Sequence, residues 1–288
     1  MRAGIQYDRS ASVVIAPVSG APGVEVKGLR IAFAVKKKAT SNANTLNVKI
    51  WNLSPSTRNR IVRRSTVLVL RGGYKGNNAR QLPHIGSGMI QRVVHDPQSP
   101  EVVTELELRD GGLGLDESVF RKAYPAGTKL QRIVDDVLAV MPDVSRGAMQ
   151  SAALAQALPG KRAFSGNARV VLDKLSKAFG FEWSVQNGAA QFVDRIGSVG
   201  GQVTAVVLSP QSGLIGSPAR TNAGCKAKCL MNPAIIPGRF IQTVSRFCPG
   251  YFKVLTVEHK GDTHGGDWIS TVEAKAIGKW VGPGKKSK

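Results

Sequence analysis

The residues best suited to chemistry lie close together near the C-terminal end of the sequence. His259, Asp262, His264 and Asp267 fall within nine residues, and imidazole and carboxylate groups can bind a metal ion or transfer a proton. The connecting residues 260–266 are rich in glycine, which is typical of a hairpin turn. A solvated hairpin tip lacks the supporting hydrogen bonds that orient metal ligands. The sequence therefore favours a hairpin tip over a metal or acid–base site.

The three cysteines do not predict a metal site. If Cys225 and Cys229 lie on one strand, they share a face but stand roughly 13 Å apart at ~3.3 Å per residue. That separation is too large for two ligands of one zinc ion, since Zn–S bonds are about 2.3 Å long. The pair alternates with Lys226 and Lys228 and is predicted to be buried, whereas Cys248 is predicted to be a loop thiol. Three cysteines do not make a disulfide framework, which indicates a reducing compartment.

Known catalytic motifs are missing from the sequence. It has no G-x-S-x-G elbow, no Walker phosphate loop and no H-E-x-x-H. The stretch GLIG at residues 213–216 lacks the following Lys and Ser/Thr and is predicted to be a turn. Asp135 and Asp136 are adjacent on a predicted helix, so their side chains point apart and do not form a catalytic pair. We therefore expect no catalytic, cofactor-binding or metal-binding residues and no enzymatic activity.

Lysine and arginine outnumber aspartate and glutamate by 40 to 19, giving a formal net charge of +21. Such an excess favours association with a polyanion: nucleic acid, an acidic protein surface or a membrane. The basic clusters at residues 36–38 and 58–64 have only Trp51 as a nearby aromatic residue, so they are interpreted as solvated faces rather than base-stacking platforms. No apolar run approaches the ~20 residues that span a bilayer, and the N-terminus lacks a signal-peptide core. We expect a soluble chain without membrane insertion.

Residues 1–112 are predicted to form a β domain. In the stretch LNVKIWNLSPSTR at residues 46–58, apolar residues alternate with polar ones, as in a strand with one buried face. Ser54 can cap a following helix and Pro55 fits its first position, which predicts a short basic helix over residues 57–64. Gly86 and Gly88 indicate a bulge or a close backbone approach. Further strands are predicted at residues 29–35, 66–70, 84–94 and 102–108.

Residues 113–196 are predicted to form a small α/β insert. Thr128 and Gln131 have the spacing of a capping box, and the helix behind it places six apolar residues on one stripe: Leu130, Ile133, Val134, Val137, Leu138 and Met141. A second helix ends at Gly180 and buries Ala168, Val171, Leu172, Leu175 and Phe179. Between them, residues 147–158 are predicted to be a loop or a weak helix. The dipeptide Asn187-Gly188 is a strong hairpin signal.

Residues 197–278 are predicted to return to β structure, followed by a basic disordered tail over residues 279–288. The predicted strands cover residues 203–208, 225–231, 240–245, 252–259 and 268–276. Several short strands separated by turn signals favour barrels or sandwiches. The fold class is thus α+β and β-rich, with two β segments flanking one insert.

Several short segments stand out when they are taken in order along the chain. They are IWNLS at 50–54 with TR at 57–58, GGY at 72–74, YPAGT at 124–128, GLIGSP at 213–218, LMNP at 230–233 with PG at 237–238, and VEHKGDT at 257–263 with DW at 267–268. In this order they resemble segments of the baseplate hub proteins of contractile-tailed bacteriophages. The resemblance implies two tube-type, β-barrel-like domains flanking the insert, and a homotrimeric ring that joins the tail tube to the central spike.

The same resemblance implies the partners and the location. The expected partners are the central spike protein, the tail tube or tube-initiator protein and the tape-measure protein, with DNA only in transit. The expected location is the virion tail baseplate, assembled in the host cytoplasm. Two alternatives remain open: a basic nucleic-acid-binding scaffold module, and a metal-dependent hydrolase that uses residues 259–267.

Overall fold

The computed structural model describes residues 7–75, 81–195, 197, 199 and 205–277. Strands dominate the described chain, and helices are concentrated in its middle third. The strands before that third are β1 (Arg9–Pro17), β2 (Val24–Lys27), β3 (Ile31–Lys38), β4 (Asn44–Trp51), β5 (Thr66–Tyr74), β6 (His84–Gln98) and β7 (Glu101–Asp110). The strands after it are β13 (Val206–Leu208), β14 (Leu214–Arg220), β15 (Gly224–Leu230), β16 (Phe240–Thr243), β17 (Gly250–Asp262) and β18 (Trp268–Ala276).

These thirteen strands form one sheet among the described residues. Its main path runs β14-β15-β18-β17-β3-β4-β7-β6-β5-β1-β2, every neighbour antiparallel, and β16 joins β17 beside the path while β13 pairs in parallel with β16. Within the described chain the path ends at β14 and β2 and does not return on itself, so the described strands do not form a closed barrel. The β-rich fold class is confirmed.

The two β segments meet where β3 pairs with β17, in a register that places Lys36 opposite Glu258. Arg30 fastens this seam by donating two hydrogen bonds to the Asp262 carboxylate, at 2.8 and 3.3 Å. The backbone must approach closely at Gly261, because a Cβ there would stand 2.5 Å from the Phe33 ring and 2.7 Å from the Trp268 ring. Glycine is therefore required at this position for the seam to pack.

The alternation predicted along residues 46–50 is confirmed in β4. Leu46, Val48 and Ile50 are buried, while Asn47 and Lys49 face solvent. The buried side chains of β1 to β7 form one apolar core, joined by Met231 and Trp268 from the second segment, and a further core lies beneath β13 to β18.

The region between the two β segments has its own apolar core. Its helices are α2 (Gly112–Glu117), α3 (Leu130–Leu138) and α4 (Ala168–Phe179); an earlier short helix, α1 (Pro55–Asn59), follows β4. Its strands are β8 (Val119–Tyr124), β9 (Ser145–Met149), β10 (Arg162–Asn167), β11 (Phe181–Gln186) and β12 (Ala189–Asp194). β11, β12 and β9 form one small sheet, and β8 and β10 form a separate two-stranded ribbon.

Most local signals in the insert are confirmed. The buried residues of α3 are the predicted stripe as far as Leu138, and those of α4 include Val171, Leu172 and Leu175. Gly180 ends α4 at φ +79°, and Asn187-Gly188 turns between β11 and β12 with positive φ at both residues.

In β6, a Cβ at Gly88 would lie 2.8 Å from the Arg109 carbonyl oxygen, which explains the glycine as a close backbone approach.

The predicted capping box at the start of α3 is wrong. The Thr128 hydroxyl donates to the Pro125 carbonyl, and Lys129 precedes the helix without a side-chain cap. The reason is tertiary: the Leu130 amide donates to the Gln156 carbonyl at 2.8 Å, and the Leu158 amide donates to the Thr128 carbonyl at 2.9 Å. A backbone bridge therefore takes the place of the side-chain cap.

Three other local predictions change. The Ser54 cap is confirmed, but α1 stops at Asn59 instead of residue 64, and Arg64 itself adopts a left-handed φ of +58°. The stretch at 213–216 is a turn only at Gly213, and β14 begins at the next residue. Within 147–158, the first three residues belong to β9, whereas Ala152–Ala155 form a short 3-10 helix, in agreement with the predicted weak helix.

Some predictions fall outside the described residues: the basic tail at 279–288, and the first part of the strand expected at 203–208. In the part of the chain that is described, no helix combines the length and apolar character needed to cross a bilayer.

Candidate functional site

His259 does not lie in a solvated hairpin tip, contrary to the sequence interpretation. It is fully buried in β17, and its Nδ1 lies 2.8 Å from the Ser270 hydroxyl. Burial lowers the pKa of His259 to about 3, and the charge of Lys37 adds to that effect. The neutral imidazole is a core residue and is inaccessible to a substrate.

The other three residues of this group make the tip itself. Asp262 pairs with Arg30 and accepts a hydrogen bond from the His264 amide. Burial raises the pKa of Asp262, but these donors outweigh it and hold the pKa below its ordinary value. His264 and Asp267 are exposed. Among the described residues, no three His, Cys, Asp or Glu side chains are grouped to hold a metal ion.

The cysteines are core residues. Cys225 and Cys229 are buried in β15 between exposed lysines, as predicted, and burial raises the pKa of each to about 12. Cys248 lies in the loop between β16 and β17, as predicted, and its free thiol is buried beside Cys225 in the core beneath the second β segment. Thiols with so high a pKa are poor nucleophiles at neutral pH.

Asp135 and Asp136 point to different partners, as predicted. Asp136 accepts hydrogen bonds from the Tyr124 hydroxyl at 2.7 Å and from Lys122 at 2.8 Å. Asp135 faces Arg146 at 3.4 Å. These ion pairs secure α3 to neighbouring strands.

The most elaborate polar cluster lies where the insert meets the large sheet. Asp110, at the end of β7, is 2% exposed, and its two carboxylate oxygens accept the backbone N–H groups of Asn187 and Gly188, each at 2.6 Å. Burial raises the pKa of Asp110 while these donors and Asn44 oppose the rise. The hairpin turn of the insert is thus held on the sheet by one carboxylate.

Asn44 extends this contact from β4. Its side-chain amide donates to Asp110 Oδ2 at 3.1 Å, to the Val185 carbonyl at 2.8 Å and to Gln186 Oε1 at 3.2 Å. Gln186 in turn donates to the Lys38 carbonyl at 2.8 Å. The Asn44–Asp110 bond joins two strands of the sheet, and the other three bonds cross between the sheet and the insert, so the network fixes the position of one relative to the other.

Two buried lysines complete the junction. Lys37 of β3 donates to Asn187 Oδ1 at 2.8 Å, and burial lowers its pKa to about 8. Lys253 of β17 donates to Glu182 Oε2 at 2.7 Å and to the Asp194 carbonyl at 2.9 Å. Lys37 therefore departs from the interpretation of residues 36–38 as a solvated face. Its burial could have been predicted from its position in the strand, because Lys37 lies on the same strand face as the buried Phe33 and Val35.

The outward face of the large sheet is polar and carries both charges. Salt bridges on it join Arg92 to Glu107, Lys226 to Glu273 and Lys260 to Glu258. Lys36 and Lys228 share the face and form no ion pair with a described residue. The cluster at 58–64 is solvated as predicted: Arg60, Arg63 and Arg64 are exposed, and Arg64 pairs with Glu117 at 3.2 Å.

The sheet has three open edges and one exposed apolar surface. Within the described chain β2, β13 and β14 each have a strand on one side only. Near β13 and β16, four large apolar side chains are exposed and form what we call the apolar corner: Val207, Val244, Phe247 and Tyr251. Val207 and Tyr251 both stand opposite Gln242 in neighbouring strands. Open edges and exposed apolar groups are typical of surfaces that bind another chain.

Comparison with solved structures identifies the fold. A tail protein from Neisseria meningitidis MC58 superposes with a TM-score of 0.65 at 10% identity, over 95% of this chain and 98% of that one. This chain has the fold of bacteriophage tail proteins. The 43 kDa tail protein of prophage MuSo2 from Shewanella oneidensis gives a TM-score of 0.64 at 8% identity, over 92% and 98% of the two chains.

A component of the Escherichia coli type VI secretion system, itself structurally similar to the T4 tail proteins gp27 and gp5, matches with a TM-score of 0.59. The identity is 12%, over 91% of this chain and 76% of that one. No protein-family model matches the sequence, and no curated protein matches it closely enough to be called a relative. The fold therefore supports the resemblance to phage tail proteins that the short segments indicated.

Proposed function

We propose that this chain is a structural hub of a phage-tail baseplate, a ring subunit that joins the tail tube to the central spike. The observation that carries the proposal is the match to the Neisseria tail protein over nearly the full length of both chains. The chain acts as a scaffold rather than an enzyme. It resides in the virion tail, after assembly in the host cytoplasm.

The open edges of the sheet support the proposal that copies of the chain assemble into a ring. β2 and β14 lie at opposite ends of the strand path, and an edge of one copy can pair with the other edge of the next. Such a head-to-tail contact repeats, and it closes into a ring when the rotation between copies is right. In this proposal residues 1–112 and 197–278 are the two tube-type domains, and their barrel-like enclosure is completed by neighbouring copies. Three copies supply six wall units and match a sixfold tube.

The surfaces can be divided by their chemistry. The apolar corner joins a second copy, because Phe247 is 65% and Tyr251 51% exposed and such groups gain from burial. The outward face suits a passage for DNA and the tape-measure protein, because exposed ion pairs such as Arg92–Glu107 and Lys226–Glu273 keep it hydrated. The basic excess serves contacts with acidic rings of the tube and the spike.

Imaging of tails assembled with this chain tests the proposal. We expect density for three copies around the axis, between tube and spike. Phe247→Glu should prevent incorporation, because it places a charge in the buried contact, whereas Val140→Glu, a matched change at an exposed valine of the insert, should assemble. Six copies at this level, an off-axis copy, or normal assembly of Phe247→Glu would refute the model.

A further inference from the structure

A groove on the surface of the insert runs between β10 and α4. One wall is four consecutive residues of β10, at positions 162–165. The other wall is a stripe of α4 that carries Val171, Lys174, Leu175 and Ala178, the spacing of one helical face. The groove encloses about 390 Å³.

The free edge of β10 borders the groove. β10 pairs with β8 on one side, and in the described chain no third strand joins the ribbon. Successive side chains of a strand point to opposite faces, so a wall made of four consecutive residues is the strand's edge rather than one of its faces. An unpaired edge presents backbone N–H and C=O groups that can accept another strand.

The lining combines apolar surface with positive charge. Phe164 and Ala178 contribute apolar surface above the buried Val171 and Leu175, and Arg162 and Lys174 contribute the charges. Neither cation forms an ion pair or a side-chain hydrogen bond with another residue that the structure describes. Aspartate and glutamate are missing from the lining residues. An occupant with apolar and acidic groups would complement both.

We propose that this groove binds an extended segment of a partner protein in which apolar and acidic residues alternate. The segment adds a third strand to the ribbon through the free edge of β10. Its apolar side chains enter the groove against α4, and its carboxylates pair with Arg162 and Lys174. Strand addition of this kind draws affinity from main-chain hydrogen bonds and specificity from alternate side chains. Four residues of strand span about 13 Å, so the bound segment is short.

The choice of a peptide over a nucleic acid follows from the shape and lining. Single-stranded nucleic acids bind along extended basic tracks with aromatic side chains for base stacking. Here the one aromatic side chain, Phe164, already packs against Tyr124, with ring centroids 6.1 Å apart. The inference is independent of the hub proposal, since it concerns the insert alone.

The test uses an acetylated eight-residue peptide of alternating valine and glutamate, titrated into the ¹⁵N-labelled full-length chain. We expect amide shifts concentrated at residues 162–166 and on α4, together with slower hydrogen exchange along β10 when the peptide is bound. A matched peptide with lysine in place of glutamate should bind at least about tenfold more weakly, because both cations of the groove then repel it.

Variants of the chain locate the contact. The double variant Arg162→Glu/Lys174→Glu should weaken the acidic peptide about tenfold or more, and Ala178→Trp should block it by filling the groove. Lys177→Glu changes the same charge on the same helix outside the groove and should leave binding unchanged. No binding at millimolar peptide, equal binding of the two peptides, or equal loss in Lys177→Glu would overturn the proposal. So would a self-association through β10 that the peptide cannot displace, or a preference for single-stranded oligonucleotide over the peptide.

Discussion

The Asp110 carboxylate should be among the most sensitive positions in the chain. Replacing Asp110 with alanine leaves the backbone N–H groups of Asn187 and Gly188 without an acceptor in a buried site. Each stranded donor costs about 1–3 kcal/mol, so the two together should lower the free energy of unfolding by about 2–6 kcal/mol. Asn44 adds little to this loss, because its amide still reaches the Val185 carbonyl and Gln186.

Urea unfolding followed by circular dichroism measures the loss. The matched control is Glu107→Ala on the same strand, where an exposed carboxylate pairs with Arg92; such pairs are worth about 0–1 kcal/mol. Asp110→Asn keeps one acceptor oxygen and should fall between the two. If the free energy of unfolding of Asp110→Ala lies within about 1 kcal/mol of the wild-type value, the carboxylate does not hold the hairpin turn on the sheet.

Three further outcomes are expected. Burial lowers the pKa of His259 to about 3 in the folded chain, whereas the unfolded chain has a His259 pKa of ~6.5. The unfolded chain therefore binds a proton first as pH falls below ~6.5, and the folded state loses stability. Between pH 6.5 and 5 the free energy of unfolding from urea titrations should fall by about 1.5–2 kcal/mol more in the wild type than in His259→Gln. Leu175→Ala should cost ~2–5 kcal/mol and Val170→Ala, at an exposed site of the same helix, under about 0.5; equal midpoints would disprove the buried stripe. His264→Ala should assemble into tails with full infectivity, and infectivity lost from intact particles would restore the active-site interpretation.

The sequence predicted the elements in which one local rule dominates. The alternation of Leu46, Val48 and Ile50, the stripe of α3 and the Asn187-Gly188 turn each depend on residues close in sequence. The strand β8 was missed because only Phe120 and Tyr124 of its six residues are buried. Lys122, which lies between them on the same strand face, is exposed, so the alternation of buried and exposed residues is interrupted.

The junction was harder to foresee. Lys37 was grouped with its neighbours by charge, although its position in the alternation placed it on the buried face. Asp110 precedes two glycines in the sequence, and the backbone groups that it binds lie 77 and 78 positions away. Periodicity reports which face a residue takes and says nothing about which distant backbone group it meets.

The seam between β3 and β17 also governs how the chain folds during synthesis. Arg30 and Asp262 are 232 positions apart, so at about 5–20 residues per second the ribosome needs roughly 12–46 s to deliver the partner of β3. During that interval the insert can bury its own core, because its strands and helices contact near neighbours. Until β17 is synthesised, the edge of β3 is unpaired. The charge of Lys36 on this edge disfavours pairing with a non-native strand until Glu258 is available opposite it.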